Sequence, residues 1–238
     1  MLQFTFSNLT LAQNVEKDVK ILDANRRFSI SVYGDYISSA ELQPNPNSLD
    51  PIERDATIDI NGTYGFGAEL NYQPSINHLD LIFYVSSEYM KFIQNDLGMI
   101  LNDSTDVSVG EQFTIVPIEF GVKWHLPVSS DYWKIYIGGG GGLYFGKETK
   151  TVLNLQSSLI SSKPDFSLNI LSGIDYFFDK NLSANFELKF REAAFDSKSR
   201  FPTDILYVNG TQFQLQNPFY SKFIADGVRI SLGFKYYF

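Results

Sequence analysis

The sequence predicts an all-β chain, an eight-stranded antiparallel up-and-down transmembrane β-barrel, on three observations. Eight stretches alternate apolar with polar residues, and the connections between them are alternately long and short. One face of these stretches holds almost no charge for a bilayer thickness, while the other carries opposite charges at similar depth.

The stretches run Arg27–Ile37, Gly62–Gln73, Leu79–Phe92, Gln112–Leu126, Tyr132–Phe145, Asp165–Phe178, Leu182–Phe195 and Gly227–Phe238. At 11 to 15 residues each, they exceed the usual globular strand of about five or six, and about 9–11 tilted residues cross a bilayer. The first carries Phe28 and Tyr36 near its two ends. The second sets Tyr64, Phe66, Ala68, Leu70 and Tyr72 against Thr63, Glu69, Asn71 and Gln73, and the third carries Tyr89 near its far end. In the fourth, Val116, Ile118, Phe120, Val122, Trp124 and Leu126 oppose Glu119, Lys123 and His125. The fifth begins near Trp133 and ends on Phe145; the sixth runs from Phe166 to Tyr176. The seventh sets Leu182, Ala184, Phe186, Leu188 and Phe190 against Asn185, Glu187, Lys189 and Arg191. The eighth sets Val228, Ile230, Leu232, Phe234, Tyr236 and Phe238 against Arg229, Ser231, Gly233, Lys235 and Tyr237.

Long connections (Ser38–Asn61, Ile93–Glu111, Gly146–Pro164, Asp196–Asp226) follow the odd stretches, and short ones (Pro74–His78, Pro127–Asp131, Asp179–Asn181) follow the even ones. That alternation places both termini on one side, expected to be the periplasm, and an even strand number closes the sheet so that no edge is left unpaired in lipid. Aromatic girdles are expected at Phe28, Tyr72, Trp124, Trp133, Tyr176, Tyr236 and Phe238 on the periplasmic rim, and at Tyr36, Tyr64, Tyr89, Phe145 and Phe166 on the outer one. Turning the charged face outward gives the alternative, a soluble ligand-binding barrel; it requires Phe, Tyr and Trp packed inside every strand.

Composition narrows the function. The 238 residues hold 14 Tyr and 21 Phe, no cysteine, and a net charge of −8. Thiolate chemistry and disulfides are excluded, and an acidic chain is not expected to bind nucleic acid. Met1–Gln13 reads as the remnant of a signal peptide without its basic start, or as a mature N-terminal arm; residues 14–26 are expected to be a periplasmic arm and 27–238 the barrel domain.

The last strand carries a polar residue, a glycine and two aromatics at Ser231, Gly233, Tyr236 and Phe238. This pattern resembles the terminal strand of bacterial outer-membrane β-barrels of the small OmpA/OmpX type, and the likeness covers the chain from Arg27 onward. It implies an outer-membrane location, a recognition signal for the barrel assembly machinery at those four residues, and contact with outer-membrane lipid and lipopolysaccharide.

Several motifs invite sharper readings. Gly138–Gly142 followed by Gly146-Lys147 nearly spells a phosphate loop, but Glu148 stands where Ser or Thr is needed and no helix start follows. Inward glycines there are expected to make room for lumen side chains. His125 is followed by Leu126-Pro127, not by the Ser of the lipid A deacylases, and neither His78 nor His125 has a partner at metal-ligand spacing. The acidic run Asn95-Asp96 and Asn102 to Asp106 lacks Ca²⁺-loop spacing. The last long connection mixes Lys198, Arg200 and Lys222 with Phe201, Phe213, Phe219, Tyr220 and Phe223, suited to lipopolysaccharide, to a protein partner, or to packing on the rim. Glu69, Glu119, Lys123, Lys134, Glu187, Lys189, Arg191 and Arg229 are expected to form a polar network filling the lumen. The expected function is a non-enzymatic scaffold without cofactor or metal, displaying four extracellular loops for envelope integrity, adhesion or partner binding. The alternatives are passage of small solutes, or of apolar molecules through a lateral opening, and, more weakly, a lipid-modifying enzyme.

Overall fold

The computed structural model describes residues 27–74, 80–101, 105–130 and 132–238, without the side chains of 96–106. The expectations for residues 1–26, His78, Asn102 and Asp103, and for the side chains of Asp96 and Asp106, lie outside the described residues. The strands are β1 (Phe28–Gln43), β2 (Ile58–Tyr72), β3 (Leu81–Leu101), β4 (Thr105–His125), β5 (Trp133–Val152), β6 (Leu155–Gln156), β7 (Ser158–Asp179), β8 (Leu182–Arg191), β9 (Ala193–Arg200), β10 (Ile205–Val208), β11 (Thr211–Gln214), β12 (Phe219–Ala225) and β13 (Val228–Tyr237). One helical turn, α1 (Pro51–Arg54), lies between β1 and β2, capped by Asp50, whose carboxylate accepts from the Ile52 N–H.

Hydrogen bonds run around a closed antiparallel ring, β1-β2-β3-β4-β5-β7-β8-β13 and back to β1. The closing pair is in register from Ser29↔Tyr237 to Ile37↔Arg229. At its end Phe238 N–H donates to the Phe28 carbonyl at 2.9 Å. Ser231 faces the lumen, Gly233 lies where a Cβ would meet the Val32 carbonyl and the Tyr33 side chain, and Tyr236 and Phe238 stand outside on the rim. The predicted girdle residues Phe28 and Phe238 stack at 6.1 Å, while Trp133 and Tyr176 meet as a tilted pair at 4.5 Å, and Tyr36 and Tyr64 at 5.0 Å.

The strands correct one expectation. They do not stop at the predicted ends: β1, β3 and β5 run on to Gln43, Leu101 and Val152, and the last "loop" contains β9, a β10–β11 hairpin and β12. β8 and β9 form one line interrupted at Glu192, as β12 and β13 do at Asp226 and Gly227. The wall thus extends beyond the apolar belt at the end far from the termini, closed there by β7–β9, β9–β12 and β12–β1.

The physical reason is an inversion of side-chain chemistry at constant pleat. In β4 every odd residue with a side chain from Val107 to His125 points inward. Near the termini the outward side is Val116, Ile118, Phe120, Val122 and Trp124, and the inward side includes Glu119, Lys123 and His125. Toward the far end the inward side becomes Val107, Val109, Phe113 and Ile115, and the outward side Ser108, Gln112 and Thr114. The same exchange occurs between β8 (Phe190 out, Arg191 in) and β9 (Phe195 in, Asp196 out). The chain is a barrel with an apolar exterior in one zone and an apolar core in the other. The far-zone core packs Phe92, Phe113, Phe195 and Phe223 with Ile37, Leu42 and Ile60. Above it, Leu206 and Phe213 of the β10–β11 hairpin join Val109, Val152, Phe201 and Phe219 over the mouth. That hairpin turns through Asn209 (φ 51°) and Gly210 (φ 82°), both in the left-handed region that a two-residue Asn-Gly turn requires.

Candidate functional site

The lumen of the belt zone is the first site. Strand alternation points five cations and six carboxylates into it: Lys123, Lys189, Arg191, Arg229 and Lys235 against Asp35, Glu69, Glu88, Glu119, Asp175 and Glu187, all buried. Lys123 Nζ lies 2.6 Å from Glu69 and 2.8 Å from Glu187. Glu119 takes Lys189 at 2.5 Å, Arg191 at 2.8 Å and the Tyr144 hydroxyl at 2.7 Å. Arg191 also pairs with Glu88. Arg229 reaches Glu88 at 2.8 Å, Glu187 at 3.0 Å and Asp35 at 3.2 Å. Nearer the termini, Lys235 pairs with Asp175 at 2.8 Å, and Asn185 donates to Asp175 and to the Tyr136 hydroxyl. Aromatic faces complete the packing: Lys123 sits 5.0 Å from the Tyr84 and Tyr136 ring centres, and Arg229 4.5 Å from Tyr33.

Of the eight residues expected in this network, seven are in it. Lys134 is the correction: it is half-buried at the terminus-bearing mouth and forms no ion pair among the described residues. Its cross-strand partner is Asp175, but that carboxylate is already taken by Lys235, Asn185 and the Tyr237 hydroxyl. Sequence reasoning missed Asp35, Glu88, Asp175 and Lys235 as members, although each stands at an inward position of its strand. It also missed the tyrosines that hold the carboxylates from inside. The glycine run makes the packing possible: a Cβ on Gly140 would fall 2.7 Å from the Tyr84 hydroxyl and closer still to the Phe120 carbonyl. His125 is buried at the same mouth, 3.1 Å from Asp80.

The far zone holds two further features. Glu148, inside the wall, accepts hydrogen bonds from Ser197 and Ser221, and burial pushes its carboxyl above the ordinary range. Glu111 and Lys150, paired at 2.6 Å, are its charged neighbours. The β5–β7 ladder ends at Tyr144↔Asp165, next to Pro164, which has no N–H to donate. Beyond that point β7 pairs with β9 instead, and the Phe195 ring packs against Gly146 across the unlaced stretch.

No protein-family model and no curated protein matches the sequence. Among solved structures, the chain is similar to the outer membrane protein OprG from Pseudomonas aeruginosa, with TM-score 0.58 and 12% identity over 90% of this chain and 97% of that one. It is similar also to the outer membrane protease OmpT from Escherichia coli, with TM-score 0.52 and 6% identity over 90% of this chain and 97% of that one. Neisserial surface protein A superposes with TM-score 0.47 and 16% identity over 89% and 97% of the two chains. Together with the eight-strand ring and the outward apolar belt, the likenesses to OprG and OmpT give the chain the fold of the bacterial outer-membrane β-barrels.

Proposed function

We propose that the chain is a closed, non-conducting and non-enzymatic outer-membrane barrel whose far-zone wall, projecting from the cell, is its binding surface. The observation that carries this reading is the ion network: side chains from opposite strands bridge the lumen of the belt zone, above which the aromatic core fills the interior. A barrel of eight strands has an interior that side chains can fill, and this one is filled at two levels. The long strands are then spent on exposed wall above the lipid. Two measurements test the reading. Purified protein in planar bilayers is expected to give no discrete single-channel steps, and steady openings would overturn it. An epitope placed at Asn209-Gly210 is expected to be labelled on intact cells; labelling only after outer-membrane rupture would reverse the orientation.

A second reading, lateral passage of apolar molecules, is favoured by the unlaced stretch between β5 and β7 beside Pro164 and by the aromatic interior behind it. If an apolar fluorophore enters vesicles containing the protein no faster than protein-free vesicles, that reading is removed.

A further inference from the structure

The outer face of the far-zone wall carries a cleft of about 590 Å³ between β7, β9, β12 and the segment following β1. Its floor is set by register. Lys163, Asp196, Lys222 and Gln43 are successive cross-strand partners, and Lys198 and Tyr220 are partners in the next outward row. Lys198 lies 5.1 Å from the Tyr220 ring centre. Asn47 and Pro46 line the side toward β1. None of Lys163, Lys198 and Lys222 forms an ion pair among the described residues. Three lysines against the single carboxylate of Asp196 leave this concavity with a formal charge of +2 in a chain whose net charge is −8, and that local excess attracts an anion.

We propose that this cleft binds the phosphorylated sugar headgroup of an outer-leaflet glycolipid. The ammonium groups suit phosphate oxygens, the Tyr220 ring offers a flat apolar face to a sugar, and Gln43, Asn47 and Asp196 suit its hydroxyls. Height selects the lipid as source. On β7 the outward residues Phe166, Leu168 and Ile170 are exposed to lipid, and Lys163 follows three positions beyond Phe166. Three residues span about 10 Å along a strand, or roughly 7 Å of height when tilted. The polar layer of a bilayer is roughly 5–8 Å deep on each side, so Lys163 stands within it, with Lys198 one row further out. Glu192 and Asp226 lie between the belt and the cleft on the neighbouring strands, so approach is favoured from the β7 side. The inference rests on the orientation given above, in which this wall meets the outer leaflet.

The test uses the full chain in non-ionic detergent with a bis-phosphorylated, acylated glucosamine disaccharide, its dephosphorylated form, and soluble glucosamine 6-phosphate. Wild-type protein is expected to bind the phosphorylated lipid at least about tenfold more tightly than the dephosphorylated one, with excess soluble sugar phosphate failing to displace it. The combined variant Lys163→Gln, Lys198→Gln, Lys222→Gln is expected to lose about tenfold, and the matching Arg variant to retain binding. Equal binding by the Gln variant, or indifference to the phosphates, overturns the site; displacement by the soluble sugar phosphate overturns the lipid as its source. Should the Gln variant fail to fold, acetylation of wild-type protein decides: the glycolipid should shield Lys163, Lys198 and Lys222 but not Lys147 and Lys180, and uniform modification overturns the site. Binding in detergent is blind to orientation, so failure here leaves the closed-barrel reading standing, and a misplaced epitope label counts against that reading alone.

Discussion

Glu119 shows how much a single lumen side chain holds. Two cations and a tyrosine hydroxyl converge on its carboxylate. Replacing it by Gln leaves Lys189 and Arg191 short of charge in a buried site, and the expected cost is about 3–5 kcal/mol, read as a lowered thermal midpoint in detergent with no conductance gained. Glu148 behaves oppositely with pH. Its pKa is raised in the folded protein, chiefly by burial, so the folded state holds the proton more tightly than the unfolded chain. Its stabilising contribution is therefore present below the unfolded value, about 4.3, and is lost as pH rises through the folded one. Glu148→Gln should then gain in thermal midpoint over wild type as pH rises through that window. A constant difference at all pH values would show that Glu148 is not titrating there.

A single element, β4, carries the inversion that organises the molecule. Ile118 is 48% exposed in the apolar belt, and Thr114, four residues on and on the same face, stands in the polar zone. Ile118→Arg should cost about 2–4 kcal/mol in lipid, as should Phe186→Arg on β8, whereas Thr114→Arg should cost well under 1 kcal/mol. Refolding titrations into lipid vesicles measure all three. Equal costs at positions 114 and 118 would place the lipid boundary elsewhere. The alternation itself was legible in the sequence, but its exchange of meaning was not. A search for outward apolar faces ends each strand where that face turns polar, near Phe92, Gln112 and Phe145, although the pleat continues.

As a whole, the molecule combines an outward-apolar ring with a conventionally packed extension stacked on it. Every strand of the ring pairs on both sides, leaving no edge for detergent to open locally. Unheated protein in SDS should therefore migrate faster than the boiled sample, and a single position under both conditions would contradict a closed ring. The extension also accounts for the last connection. Phe201, Phe213, Phe219 and Phe223 turn inward to the core while Lys198, Tyr220 and Lys222 turn outward to the cleft. In the sequence the two sets stand mixed within one connection, suited to a ligand or to packing on the rim, and the strand alternation separates them.

The sequence by itself determined the eight-strand ring in the belt zone, its inside-out polarity, its girdles and seven members of the lumen network, because those features follow from a two-residue period and from connection lengths. Asn209-Gly210, a turn signal between short apolar runs, also marked the β10–β11 hairpin, though it was embedded in what read as loop. Only the tertiary structure decided which carboxylate meets which cation, that Lys134 stands apart, and that Lys163, Lys198 and Lys222 share a cleft. Lys163 on β7 and Lys222 on β12 meet only because both strands pair with β9 at Asp196, and register between strands distant in sequence is set by the packing of the whole barrel.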